Sequence, residues 1–238
     1  MLKLIAMTTM FIDHAYYLFP NTEGWMTCIG RIAFPIFAFQ AAEGIRRTHD
    51  IGKYIRRLFI FALISEIPFD LFVNGMMFYP FHQNVIFTLL IAVVTINCAR
   101  KVAENKKYRW LVIPVLCLGM LLSKVMFTDY DWRGVATVMA FYICSEENKK
   151  INRKYRNAML IILMMFLHIF TVSGFSFEFE ILKHTVLFPI QGFALLAIIP
   201  VFLYNEKRGK YGKIMQKITY IFYPAHMLIL YMIQQLYF

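Results

Sequence analysis

Asp13 and His14 stand side by side in one apolar run, and Arg31 stands in the next. Glu66 and Asp70 follow at i, i+4 with Pro68 between them, and Asn84, Thr88, His168 and His226 lie in later apolar stretches. A histidine titrates near neutrality and a carboxylate can orient or neutralise it, so this set could run acid–base chemistry, bind a ligand or relay protons. An ionisable group at the centre of a membrane helix costs about 2.5–3.5 kcal/mol on insertion scales, so each one asks for a reason. A buried ion-pair network is the structural alternative for Asp13, His14, Arg31, Glu66 and Asp70, and a satisfied core histidine is the alternative for His168. Lys124, Asp131, Arg133, Lys183 and His184 fall near the ends of apolar runs, where snorkelling to the interface explains them.

Other chemistries lose their usual support. The chain has no G-x-x-x-x-G-K-[ST] phosphate loop, no G-x-S-x-G elbow, no H-E-x-x-H and no helix-opening G-x-G-x-x-G. Cys28, Cys98, Cys117 and Cys144 are scattered in or beside apolar runs without a C-x-x-C pair, so neither a disulfide framework nor a metal site is expected.

The elements that must position these residues follow from composition. The chain has 238 residues, 60% of them hydrophobic, with a mean hydropathy of +0.57. Soluble domains sit near 45–50% apolar, and a bilayer span takes roughly 20 residues, so the expected fold is an all-α polytopic bundle. Nine apolar runs are the candidate spans: Leu2–Phe19, Trp25–Ile45, Leu58–Met76, Asn84–Cys98, Trp110–Phe127, Trp132–Ser145, Ala158–Ser173, Ile181–Tyr204 and Ile218–Tyr237, with eight to ten as the range. The net charge of +11 is distributed as the positive-inside rule requires. Four loops, 46–57, 100–109, 149–156 and 207–217, hold twenty of the 25 basic residues, while those around Glu23, Pro80, Asp129 and Glu178 hold essentially none. This alternation puts the N-terminus in the cytoplasm and, with nine spans, the C-terminus outside, and it leaves no role for nucleic acid. Asp13-His14 and the lack of a small-x-small site mark the first run as a retained helix, not a signal peptide. Residues 1–238 read as a single integral membrane domain whose polar groups share one depth and one cavity, with kinks at Pro35, Pro68 and Pro224.

The run Leu2–Ala6 leading to Ile12-Asp13-His14, then Gly30-Arg31-Ile32-Ala33-Phe34-Pro35 through Ala42-Glu43-Gly44, resembles the TraX family. The likeness continues through Arg56-Arg57-Leu58-Phe59 to Ser65-Glu66-Ile67-Pro68-Phe69-Asp70 and Asn84-Val85-Ile86-Phe87-Thr88-Leu89, and recurs weakly at Tyr223-Pro224-Ala225-His226. That family is named for an inner-membrane protein that acetylates the N-terminus of conjugative pilin, and it is similar to multispan acyltransferases that use acyl-CoA. The resemblance implies a multi-pass protein of a bacterial-type inner membrane that transfers an acetyl or other short acyl group from acetyl-CoA or another acyl-CoA. The acceptor, a pilin-like peptide, a glycan or a small molecule, is left open, as is N- versus O-acylation.

On that resemblance His14 is the general base and Asp13, Glu66 or Asp70 orients or balances it. Arg31 neutralises the carboxylate, or steadies the oxyanion with Asn84. Asn84, Thr88, His226 and Glu43 are expected to meet the acceptor, and Arg46, Arg47, Arg56, Arg57, Arg100 and Lys101 to hold the CoA phosphates at cytoplasmic helix ends. Two competing readings are a proton- or ion-coupled transporter and a non-catalytic membrane subunit of a secretion or pilus system.

Overall fold

The structure, a computed structural model, describes residues 1–19, 24–144, 152–172, 176–181, 184–204 and 212–237. Glu23, Lys149, Lys150, Lys183, Lys207, Arg208 and Lys210, all weighed above, lie outside the described residues. The described chain is helical apart from one hairpin, and it divides into two compact units.

Unit 1 comprises residues 1–37, 144–222 and 233–238. Its first element, α1 (Leu2–Ala15), packs on α2 (Trp25–Gly30). The run from Trp25 is not one straight helix, because Arg31 and Ile32 form a turn before α3 (Ala33–Arg47) begins. Pro35 accounts for the break: it cannot donate to the Arg31 carbonyl, and its ring crowds that oxygen. Pro68 and Pro224, by contrast, lie within continuous helices. Later in unit 1, α8 (Arg153–Met165) runs into a π turn at Phe166–Phe170.

The eighth expected span, Ile181–Tyr204, is corrected. Strands β1 (Ser176–Ile181) and β2 (His184–Pro189) pair antiparallel, Phe177 opposite Phe188 and Glu178 opposite Leu187. A 3-10 stretch, Ile190–Ala197, and the short α9 (Ile198–Phe202) follow. The alternation Phe-Glu-Phe-Glu-Ile is a strand pattern of period two, and Pro189 ends the ladder.

Unit 2 comprises residues 38–143 and 223–232. Here α5 (Val85–Glu104) is the central helix, apolar on nearly every side and packed against α4 (Ile51–Asn74), α6 (Val112–Val125) and α7 (Asp131–Ile143). Helices α5 and α6 approach closely at Gly119, where a Cβ would strike the Thr95 side chain. The 26-residue α10 (Gly212–Tyr237) contributes residues to both units.

Among the described residues, three helical stretches are long and apolar enough to cross a membrane: Trp25–Arg47, Val85–Glu104 and Lys106–Val125. The expected nine are not reached on that criterion, since α1, α7 and α8 have only 14, 13 and 13 residues. The outward faces are those of a membrane protein. Phe59, Ile60, Leu63, Ile64 and Ile67 are exposed on α4 while Ser65 and Asp70 are fully buried, the reverse of a soluble helix.

Candidate functional site

Two polar networks are built, one in each unit. In unit 1, Arg31 Nη2 donates to both carboxylate oxygens of Asp13, at 2.9 and 2.8 Å. Its Nε donates to the Thr27 carbonyl at 3.2 Å, closing the guanidinium back onto α2. The remaining arm, Nη1, donates to Gln191 Oε1 at 3.4 Å, and Gln191 Nε2 lies 3.1 Å from His168 Nδ1. Asp13 fits because residue 30 is glycine: a side chain there would occupy the space of the Asp13 carboxylate. His14 is half-buried in the last turn of α1, beside Asp13 in sequence.

Unit 2 assembles a second network around the start of α5. Asn84 is the N-cap: its Oδ1 accepts from the Ile86 amide at 2.9 Å, and its Nδ2 donates to the Ala62 carbonyl at 2.9 Å and to Glu66. The Asn84 backbone amide also donates to Glu66 Oε2, at 3.1 Å. One carboxylate oxygen thus satisfies the helix terminus, while the buried Oε1 has no hydrogen-bond partner. One turn on, the fully buried Asp70 accepts from Asn74 Nδ2 at 3.2 Å and from the Tyr79 amide at 2.8 Å. The Thr88 hydroxyl, also fully buried, accepts from the Tyr130 amide at 3.5 Å. His226 is buried on α10 with its ring centroid 6.0 Å from that of Tyr223.

The connections 75–84 and 126–130 are clasped together in the same unit. Gln83 donates to the Phe127 carbonyl and accepts from the Asp129 amide, both at 2.9 Å, and His82 Nε2 lies 3.3 Å from Asp129 Oδ1. The hydrogen bond to Asp129 raises the His82 pKa above its ordinary value, against the opposing pull of burial.

Several expectations change at this level. The carboxylate bonded to Arg31 is Asp13, while Glu66 and Asp70 accept from amides of their own unit. Arg31 belongs to unit 1 and Asn84 to unit 2, each engaged in its own network. Glu43, expected at the acceptor, is buried and bonded to Arg46 at 2.5 Å and to Arg47 at 2.6 Å. Those two arginines therefore already hold a carboxylate, whereas Arg56, Arg57 and Arg100 are exposed, as is Lys101. His82 stands out in the sequence beside Asn84 and Thr88, but Gln191, Tyr79 and the pairing of His82 with Asp129 do not. Gln191 carries no charge, so a pattern built on ionisable groups does not contain it, although a buried amide also needs partners. No group of three or more His, Cys, Asp or Glu suited to a metal occurs among the described residues.

The chain is 24% identical over 245 residues to the "Probable fimbrial assembly protein FimC, serogroup H1" of Dichelobacter nodosus, covering 96% of this chain and 92% of that one. It is also 24% identical over 165 residues to "Protein TraX" of Escherichia coli, a match spanning 68% of this chain and 61% of that protein. No solved structure matches. The family described as "TraX protein" matches residues 1–234, and with the first-helix Asp13-His14 and the Arg31 turn inside that match, the chain belongs to the TraX family.

Proposed function

We propose that this protein is a single-domain, multi-pass acyltransferase of a bacterial inner membrane, with its N-terminus in the cytoplasm. It moves an acetyl or other short acyl group from acyl-CoA to an amine or hydroxyl of a membrane-associated or exported acceptor. The observation that carries this reading is His14 standing next to an Asp13 that Arg31 holds by two hydrogen bonds, in a chain of the TraX family.

Direct transfer needs one base and one oxyanion donor. An imidazole nitrogen of His14 takes the proton of the attacking amine or hydroxyl as the new bond to the acyl carbon forms. The carbon–sulfur bond then breaks, and the same proton passes to the departing CoA sulfur. Asp13 balances the transient imidazolium, and Arg31 keeps that carboxylate in place. The exposed Arg56, Arg57, Arg100 and Lys101 are available to the phosphates of CoA.

The experiment is label transfer from acyl-CoA by purified protein in nanodiscs, offered amine-terminated pilin-type peptides and hydroxyl acceptors. Transfer that disappears in His14→Ala, with expression and monodispersity kept, supports the reading; a folded wild-type protein that transfers no acyl group overturns it. The fimbrial relative supports a second reading, a pilus-assembly membrane component without chemistry, which that same negative result would favour. Substrate-driven proton flux in liposomes would instead favour a transporter.

A further inference from the structure

We infer that Gln191 is the positioning residue of unit 1: it orients Arg31 against Asp13 and at the same time fixes His168 as a neutral imidazole whose proton is on Nε2. The kinetic consequence rests on the acyl-transfer reading above, and the assignment of the proton does not.

The assignment follows from donors and acceptors. Arginine carries five N–H donors and no acceptor, so the Gln191 atom 3.4 Å from Arg31 Nη1 is the amide oxygen. The opposite amide orientation would set two donors against each other. Gln191 Nε2 then faces His168 Nδ1 at 3.1 Å as a donor, and Nδ1 must accept. An imidazole that accepts at Nδ1 is neutral and carries its proton on Nε2. His168 is 1% exposed, so water does not replace this partner.

The backbone on both sides is irregular at these two residues. His168 is the middle residue of the π turn Phe166–Phe170, which re-aims a side chain relative to a regular helix. Gln191 is the second residue of the 3-10 stretch that follows β2. The hairpin braces that stretch: Phe177 and Phe188 meet Phe193 edge-on, at centroid distances of 6.2 and 5.5 Å, and Gly192 lets the Phe188 ring lie against the backbone beside Gln191. Two departures from regular helix therefore converge on one amide, which connects the imidazole to the guanidinium and so to Asp13, the neighbour of His14.

The test uses the full chain in nanodiscs with 15N-labelled histidine, His168 being assigned by the signal lost in His168→Asn. The expected wild-type signature is a neutral ring protonated at Nε2. Gln191→Glu keeps an acceptor for Arg31 but has no donor for Nδ1, so the proton should move to Nδ1. A wild-type ring protonated at Nδ1, or one unchanged in Gln191→Glu, would overturn the assignment. In acyl transfer, Gln191→Leu should lower kcat about tenfold to hundredfold, as small misplacements of reacting groups do, with KM for acyl-CoA unchanged. Gln191→Glu should retain more of kcat than Gln191→Leu. Wild-type kcat in Gln191→Leu would overturn the positioning role. If the wild-type protein transfers no acyl group, the acyltransfer reading falls while the ring signatures still decide whether Gln191 couples the two side chains.

Discussion

Arg31 cannot shed its charge at any ordinary pH, so its position in the turn of an apolar run requires a permanent partner, and the structure makes that partner Asp13. The two side chains are 24% and 17% exposed, so the pair is desolvated but not sealed. Arg31→Met strands a carboxylate and should destabilise the protein toward the lower end of the roughly 3–5 kcal/mol seen when buried pairs lose one member. Arg31→Met with Asp13→Asn should recover most of the melting temperature in detergent but none of the activity, whereas Arg31→Met with Glu66→Gln should recover neither. Recovery with Glu66→Gln alone would sink the pairing. A pH effect belongs to His82, which lies between apolar runs. Its folded pKa is raised by Asp129, so its stabilising contribution is complete below the unfolded value of about 6.5 and fades as pH rises through the folded one. Wild-type melting should therefore decline across that window relative to His82→Gln, and parallel curves for the two proteins would refute the linkage.

Helix starts show how one residue type does different work according to what lies beyond the cap. Asn84, Asn105 and Asn152 all cap with the side chain accepting from the amide two residues on. Asn152 is exposed, and only Asn84 is fully buried and also donates to Glu66 and Ala62. Asn152→Ala should cost about 1 kcal/mol, as lost caps typically do. Asn84→Ala should cost that plus about 1–3 kcal/mol for the lost side-chain hydrogen bonds to the Glu66 carboxylate and the Ala62 carbonyl, the backbone bond to Glu66 remaining. Equal losses in chemical denaturation would mean that Asn84 is a cap and nothing more. The sequence made α5 and α6 legible because each is a long run bounded by polar signals: Asn84 before one, and the Lys106-Lys107 and Asp129 regions around the other. It hid the hairpin, since Val186, Leu187 and Phe188 raise the hydropathy of any long window and mask the period-two alternation of residues 177–181. Likewise the Arg31 turn was readable only as a kink at Pro35, because the turn depends on which carbonyl the ring displaces.

At the scale of the whole molecule, the loop charges and the fold must agree on which side of the membrane each connection lies. The positions of the polar residues along the apolar runs were legible from sequence, but their division between two units was not, because hydropathy ranks residues along a helix axis and says nothing about which helices pack together. The loss of a continuous eighth helix could have removed one crossing and reversed the C-terminus. Eight 3-10 residues at about 2.0 Å each and five α-helical residues at 1.5 Å give roughly 24 Å, short of the roughly 30 Å of a hydrocarbon core. A crossing at Ile190–Phe202 therefore requires local thinning of the bilayer, and the side on which the hairpin lies is what topology probes must decide. In a cysteine-free background, a cysteine at the exposed Glu178 should react with a membrane-impermeant thiol reagent added to intact cells, while one at the exposed Lys53 should react only after the membrane is opened. A reporter active only outside the cytoplasm, fused after Phe238, should give signal. Glu178 protected together with a silent fusion would place the hairpin inside and leave an even number of crossings, and the alternation of basic loops would then have to be explained by something other than topology.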